Sequence, residues 1–118
     1  MLKSKIHRAT LTGTDLDYEG SITIDADLLE AADILPNEQV HVLNLNNGSR
    51  IVTYAIEGPR GSGVMLLNGP AARSGMPGDG LVVLTYANVD DNKSAKHCPR
   101  IVHVDKSNRL VDYTVVRQ

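Results

Sequence analysis

Between Lys3 and Leu11 polar and apolar positions roughly alternate, with Lys3, Lys5 and His7 set against Ser4, Ile6, Arg8 and Ala9, which predicts a strand. Gly13 to Asp17 reads as a polar turn, and a second strand is expected from Tyr18 to Ile24, where Ile22, Thr23 and Ile24 are β-branched. The period then changes. Leu28, Ala32 and Leu35 fall on one helical face, so a helix is expected from Asp25 or Asp27 to Leu35. Asp27 followed three residues later by Glu30 resembles a capping box, and Pro36 ends the pattern.

Two strands, Gln39–Leu45 and Arg50–Ile56, flank Asn46-Asn47-Gly48, a strong hairpin signal. Gly58 to Gly63 reads as a flexible loop and Val64–Leu67 as a short strand. Asn68 to Arg73 reads as a turn running into one helical turn, with Pro70 near its start. A turn over 76–80, an apolar strand Leu81–Ala87, a polar connection from Asp90 to Lys96, and a closing pair Arg100–Val104 and Leu110–Val115 complete the chain. Seven or eight short strands with one helix predict a closed or nearly closed barrel.

Composition sharpens this picture. The 118 residues amount to a single domain, and with no Phe, no Trp and four Tyr the interior must be built from Val, Ile and Leu. Twelve basic against fourteen acidic residues leave a net charge of −2, which argues against a nucleic-acid or anionic-membrane binder. Apolar runs such as Leu81–Leu84 fall far short of the roughly 18–20 residues that span a bilayer. No charged-then-apolar leader stands at the N-terminus, and Cys98 has no partner for a disulfide, so the chain reads as cytoplasmic.

Most candidate chemistry dissolves on inspection. His7, His41, His97, His103 and Cys98 contain no His-x-x-x-His or Cys-x-x-Cys spacing, so no metal site is expected. The Gly58–Gly63 loop lacks the Lys-Ser/Thr of a phosphate-binding loop. Lys3, Lys5 and Arg8 read as a solvated strand edge, and Cys98 as an inert thiol. Gly20-Ser21 is different, because this Gly-Ser pair sits between a polar turn and a β-branched strand. In a strained turn, where Gly permits unusual backbone angles, a serine hydroxyl can attack the preceding carbonyl. The resulting ester can eliminate and hydrolyse to a pyruvoyl group.

Lys5-Ile-His7-Arg8-Ala-Thr, Asp-Tyr18-Glu-Gly20-Ser21 and Ile24-Asp25 together resemble the N-terminal signature of the aspartate 1-decarboxylase family. The resemblance continues through Asn47-Gly48-Ser-Arg50, Thr53-Tyr54-Ala55-Ile56, Arg60-Gly61-Ser62, Asn68-Gly69 with Ala71-Ala72, and Pro77-Gly78-Asp79. It implies a mainly β fold, a double-psi β-barrel with one or two short helices, self-cleaved between residues 20 and 21. The implied activity is conversion of L-aspartate to β-alanine and CO₂ for pantothenate synthesis, through a Schiff base with a covalent pyruvoyl group made from Ser21 and without a metal. The implied assembly is a homotetramer with intersubunit active sites, and a maturation helper protein is a further candidate partner.

Position by position, the resemblance makes Ser21 the pyruvoyl precursor and Gly20 the source of the attacked carbonyl. Thr53 falls at a position linked to processing and Tyr54 at that of the proton donor. Lys5 and Arg50 match cations facing the substrate; Asn68, Gly69 and Ala71 match the substrate-binding turn, and His7 and Tyr18 match positions around the site. Thr53 and Tyr54 are neighbours, so on a regular strand they point to opposite faces; one site can use both if the strand ends or bulges, or if two subunits share the site. Pro70 stands where the family commonly has alanine, Arg73 where histidine is frequent and Gly80 where an aliphatic residue is usual. The alternatives are a non-catalytic double-psi barrel that binds without cleavage, and a pyruvoyl decarboxylase of another amino acid.

Overall fold

β1 (Leu2–Thr10) carries the alternation of the first segment into the middle of a sheet, where Ile6 and Ala9 are fully buried. The structure, a computed structural model, describes residues 1–115. After β1 come β2 (Gly13–Asp15), β3 (Ser21–Asp25), α1 (Ala26–Ala32), β4 (Gln39–Asn44) and β5 (Arg50–Gly58). β6 (Met65–Asn68) leads into a 3₁₀ helix, Gly69–Ser74, and β7 (Gly80–Tyr86) into a second, Asp91–Lys96. β8 (Arg100–Val104) and β9 (Leu110–Val115) close the sequence.

The strands hydrogen-bond in the order β2-β6-β3-β5-β4-β7-β1-β8-β9. The pairs β1–β8, β2–β6 and β3–β5 are parallel and the others antiparallel. The fold is mainly β, and aliphatic side chains such as Ile22, Ile24, Val40, Met65, Leu81 and Val83 fill its core. A fully buried Asn108 ties the ends of distant elements together. Its Oδ1 accepts from the Thr10 amide at 2.7 Å, and its Nδ2 donates to the carbonyls of Thr10 and Gly63 at 2.7 and 2.8 Å.

The hairpin, the 3₁₀ turn at Pro70 and the closing β8–β9 pair match the sequence reading; other expectations are corrected. Gly13–Asp15 is a strand, because β6 supplies parallel backbone partners from Gly13↔Leu66 to Asp15↔Asn68. The second strand starts at Ser21, and Tyr18 lies before it in an exposed turn. β1 is an interior strand between β7 and β8, so its basic residues do not guard an edge; Lys3 instead pairs with Glu38 at 2.8 Å.

The helix is capped by Asp25, whose side chain accepts from the Asp27 amide, while Asp27 and Glu30 both bind Arg60. It ends at Ala32. Asp33 takes a left-handed conformation (φ 56°), with its amide bonded to the Glu30 carbonyl and that of Ile34 to the Leu29 carbonyl. That reversal shifts the phase, so Ile34 enters the core and Leu35 is 67% exposed.

Asp25 also explains the Gly58–Gly63 loop, which is held rather than loose. The buried carboxylate accepts from the amides of Asp27 at 2.8 Å, Gly61 at 3.0 Å and Gly63 at 2.8 Å. Burial pushes its pKa up, but those three amide bonds and the Arg109 charge outweigh burial and hold it below the usual carboxylate range. A folded-state pKa below the unfolded value means stability that is present above about pH 4 and is lost as pH falls further. Asp25→Asn places an amide NH₂ against backbone donors. It is expected to cost about 2 kcal/mol at pH 7, a difference that shrinks on acidification below about pH 4. Denaturant titrations of both proteins at neutral and acid pH check this; a cost that does not change with pH would refute the carboxylate's role.

Candidate active site

Ser21 opens β3 directly opposite Asn68, the last residue of β6. Its side chain is fully buried. The Oγ donates to the Glu19 carbonyl at 3.3 Å and accepts from Asn68 Nδ2 at 2.9 Å, and the same amide donates to Thr23 Oγ1 at 2.9 Å. The hydroxyl is thus held on both sides, next to the carbonyl of Gly20 on its own backbone. Gly69 presses on the segment before Ser21. It has φ 62°, and a Cβ there would lie 2.5 Å from the Tyr18 carbonyl oxygen, 2.8 Å from the Gly20 nitrogen and 2.9 Å from the Gly20 Cα. Glycine is required at this position by both conformation and space.

The register of β5 opens a cavity in front of Gly20. From Ala55 onward β5 pairs in parallel with β3, beginning at Ile22↔Ala55. Upstream, Arg50 to Tyr54 pair with β4 on the other side. On the β3 side this stretch is an open edge, because the chain before Ser21 has left the sheet. A cavity of about 440 Å³ lies there, lined by Gly20, Ile51–Tyr54, Pro70, Ala71 and Ser74.

Thr53 is opposite buried Val40 and Tyr54 opposite Gln39, so their side chains take opposite faces as strand geometry requires. Both border the cavity, because it runs along the strand's edge. No bulge interrupts the β4–β5 pairing. The structure therefore unites Gly20, Thr53, Tyr54 and Ala71 around one space, with Ser21, Asn68 and Gly69 directly behind Gly20.

The remaining sequence-derived residues lie elsewhere in the chain. Lys5 is on β1, three strands along from β5, opposite Leu84 on one side and Ile101 on the other. His7 sits opposite His103 with ring centroids 5.8 Å apart, and its Nδ1 is buried without a hydrogen-bond partner among the described residues. Burial, and then the charges of Lys5, His103 and Arg8, lower its pKa, which favours a neutral ring. Tyr18 is half exposed. Arg50 is exposed beyond the end of the cavity lining, with Nη2 3.2 Å from His41 Nδ1 and 3.1 Å from the Tyr86 hydroxyl.

Sequence reasoning missed Ile51, Val52 and Ser74 as cavity walls, Thr23 as a second partner of Asn68, and the His41–Tyr86 cradle of Arg50. A signal for the last was available: a hairpin tightened around Asn46-Asn47-Gly48 pairs Leu43 with Arg50, which sets His41 on the same face one step along. Pro70, noted as a departure, is a wall of the cavity; its Cδ lies 3.4 Å from where a Gly20 Cβ would stand. It occupies the first turn of the 3₁₀ helix, where its missing N–H breaks no helical bond.

A second hollow, of about 430 Å³, lies beside α1 and is bordered by Asp25, Asp27, Glu30, Arg100 and Arg109. Its carboxylates already engage backbone amides or Arg60, and none of the site residues expected from the sequence borders it. Among the described residues no three His, Cys, Asp or Glu side chains come together as a metal site, and no helix is long and apolar enough to cross a membrane.

The profile of the aspartate decarboxylase family matches residues 1–111. A protein of Dehalococcoides mccartyi named aspartate 1-decarboxylase is 57% identical over 110 residues, covering 93% of this chain and 89% of that protein. One of Pelotomaculum thermopropionicum with the same name is 57% identical over 112 residues, covering 95% and 85%. Aspartate 1-decarboxylase 1 of Gloeobacter violaceus is 58% identical over 111 residues and covers 94% of each chain.

Proposed function

The chain belongs to the aspartate decarboxylase family, and on that premise we propose that it removes the α-carboxyl group of L-aspartate as CO₂ to leave β-alanine for pantothenate synthesis, using a pyruvoyl group made from its own Ser21. The observation that carries the proposal is the buried Ser21 hydroxyl, held by Asn68 behind a Gly20 that faces a cavity shared with Thr53 and Tyr54. These residues suit the group: a serine preceded by glycine, at the mouth of a strand, beside a space for a small amino acid.

In the self-processing step Ser21 Oγ attacks the Gly20 carbonyl carbon, and the peptide C–N bond breaks to leave an ester and a free amine on residue 21. Thr53, which lines the same cavity as Gly20, is the hydroxyl donor for the oxyanion that forms there. Elimination across the Cα–Cβ bond releases residues 1–20 with a free carboxylate. Hydrolysis then expels ammonia and leaves a ketone at residue 21. That carbonyl supplies an electron sink for the pair left behind when CO₂ departs. Tyr54 then delivers a proton to the substrate carbon that lost its carboxylate. The Asn68-Gly69 turn and Ala71 bound the substrate's space.

Aspartate carries two carboxylates, yet among the described residues the cavity lining includes no cation. Of the two cations that the family resemblance puts before the substrate, Arg50 adjoins that lining in sequence and Lys5 lies three strands away. A homotetramer in which a second copy completes each site accounts for both, with a guanidinium fork for one carboxylate and an ammonium for the other. The parallel pairings β1–β8, β2–β6 and β3–β5 within an otherwise antiparallel order support a double-psi barrel as the frame.

Intact-protein mass spectrometry tests the reading. Two fragments are expected, split between residues 20 and 21, with the larger lighter than a serine-started chain by one ammonia, and the purified protein is expected to release β-alanine from aspartate. A single intact mass that persists on ageing, with no turnover, would overturn it.

A further inference from the structure

Arg50, His41 and Tyr86 come from three neighbouring strands and meet on the exposed face of the sheet. His41 is opposite Val52 on β5 and opposite Leu84 on β7, and Tyr86 follows Leu84 by two positions, so all three side chains share a face. Arg50 Nη2 touches His41 Nδ1 at 3.2 Å and the Tyr86 oxygen at 3.1 Å. The His41 and Tyr86 rings stack edge to face with centroids 5.0 Å apart.

A guanidinium has donors and no acceptor, so in this contact His41 Nδ1 must be the unprotonated nitrogen. The contact exists only for a neutral imidazole. Protonation removes the lone pair and sets two cations side by side. The other groups that face His41 do not offset this: β5 contributes Arg50, Val52 and Tyr54, β7 contributes Leu84 and Tyr86, its own strand contributes Gln39 and Leu43, and β1 places Lys5 beyond Leu84. Among the described residues no carboxylate bonds to His41.

We propose that His41 is a pH-dependent positioning residue, which aims the Arg50 guanidinium at a substrate carboxylate while its ring is neutral and releases it when protonated, with Tyr86 as the second anchor. The inference rests on the reading of Arg50 as a carboxylate-binding residue. Its consequence is a substrate affinity that weakens on acidification, apart from any effect on the chemical step. A positioned fork loses less freedom on binding than a wandering one, so the effect falls on KM.

Initial rates are measured on fully processed enzyme between pH 8 and pH 5.5, a range in which both aspartate carboxylates stay ionised, with the cleaved fraction determined by mass. The wild-type KM is expected to rise about five-fold across that range, the scale of one exposed hydrogen bond to a charged group. His41→Asn keeps an acceptor near the Nδ1 position but does not titrate, and its KM is expected to stay flat; His41→Phe is expected to raise KM at both ends and to lose the dependence. Arg50→Lys separates the two readings. If it leaves KM unchanged, Arg50 does not bind the substrate and both readings fall. If it raises KM while wild type and His41→Asn show the same pH profile, or if the wild-type KM falls on acidification, Arg50 keeps its role and the inference about His41 is overturned.

Discussion

Ser21→Ala is expected to remain a single uncleaved chain and to decarboxylate aspartate no faster than solution chemistry, a loss of at least about 10⁶-fold, the low end of enzymatic acceleration. The reason is the position of one oxygen. Ser21 Oγ is the atom placed between the Glu19 carbonyl and the Asn68 amide, on the residue whose nitrogen leaves the scissile bond. Without it no ester forms, and no ketone. The fold should survive, because Asn68 keeps its bond to Thr23 and β3 keeps its backbone pairing with both neighbours. The one donor left without its partner costs about 1 kcal/mol. Unchanged circular dichroism, one intact mass and no β-alanine are the expected results. Persistent turnover by this variant would remove the pyruvoyl assignment.

Gly69→Ala is expected to have the next largest effect, through geometry alone. An alanine at φ 62° costs about 1–2 kcal/mol before any contact is counted. Its Cβ would then press on three backbone atoms, the Tyr18 oxygen, the Gly20 nitrogen and the Gly20 Cα, all under 3.0 Å. Backbone cannot step aside as the end of a long side chain can. The segment 18–20 must therefore shift, which moves the scissile carbonyl relative to the Ser21 hydroxyl. Self-cleavage of the soluble protein, followed by mass over time, should slow at least about 100-fold, as expected when reacting atoms are displaced by about 1 Å. The thermal midpoint should drop by about 4–8 °C for each kcal/mol lost. Wild-type cleavage rates in a destabilised variant would show that the position of this segment does not govern the reaction. Gly78→Ala is a suitable control: it too has positive φ (97°), but its Cβ would meet nothing within 4 Å.

Much of this molecule is legible in the amino-acid sequence because the relevant signals are local or specific. The Asn-Asn-Gly turn, the β-branched run at Ile22–Ile24 and the proline near the start of the 3₁₀ helix each act within a few residues, and each appears where expected. The motifs around Gly20-Ser21, Thr53-Tyr54 and Asn68-Gly69 pointed to the family that the profile match over residues 1–111 bears out. The helix end was misplaced because periodicity assumes an unbroken backbone. Asp33 turns left-handed and hands the last core position to Ile34.

What the sequence determined by itself is the class of the fold and the family, together with the side chains that the proposed cleavage and decarboxylation call on. Tertiary structure decided which of those side chains meet. β2 is a strand because β6 offers it partners, and Asp25 is a clasp because an amide of its own helix and two from the Gly58–Gly63 loop converge on it. Thr53 and Tyr54 share a cavity because the β3–β5 register starts at Ala55 and leaves the preceding edge open. Arg50 lies against His41 and Tyr86 because three strands align in one register. Pairing between distant segments sets all of these, and a linear pattern carries the period of each strand but not the register that joins it to the next.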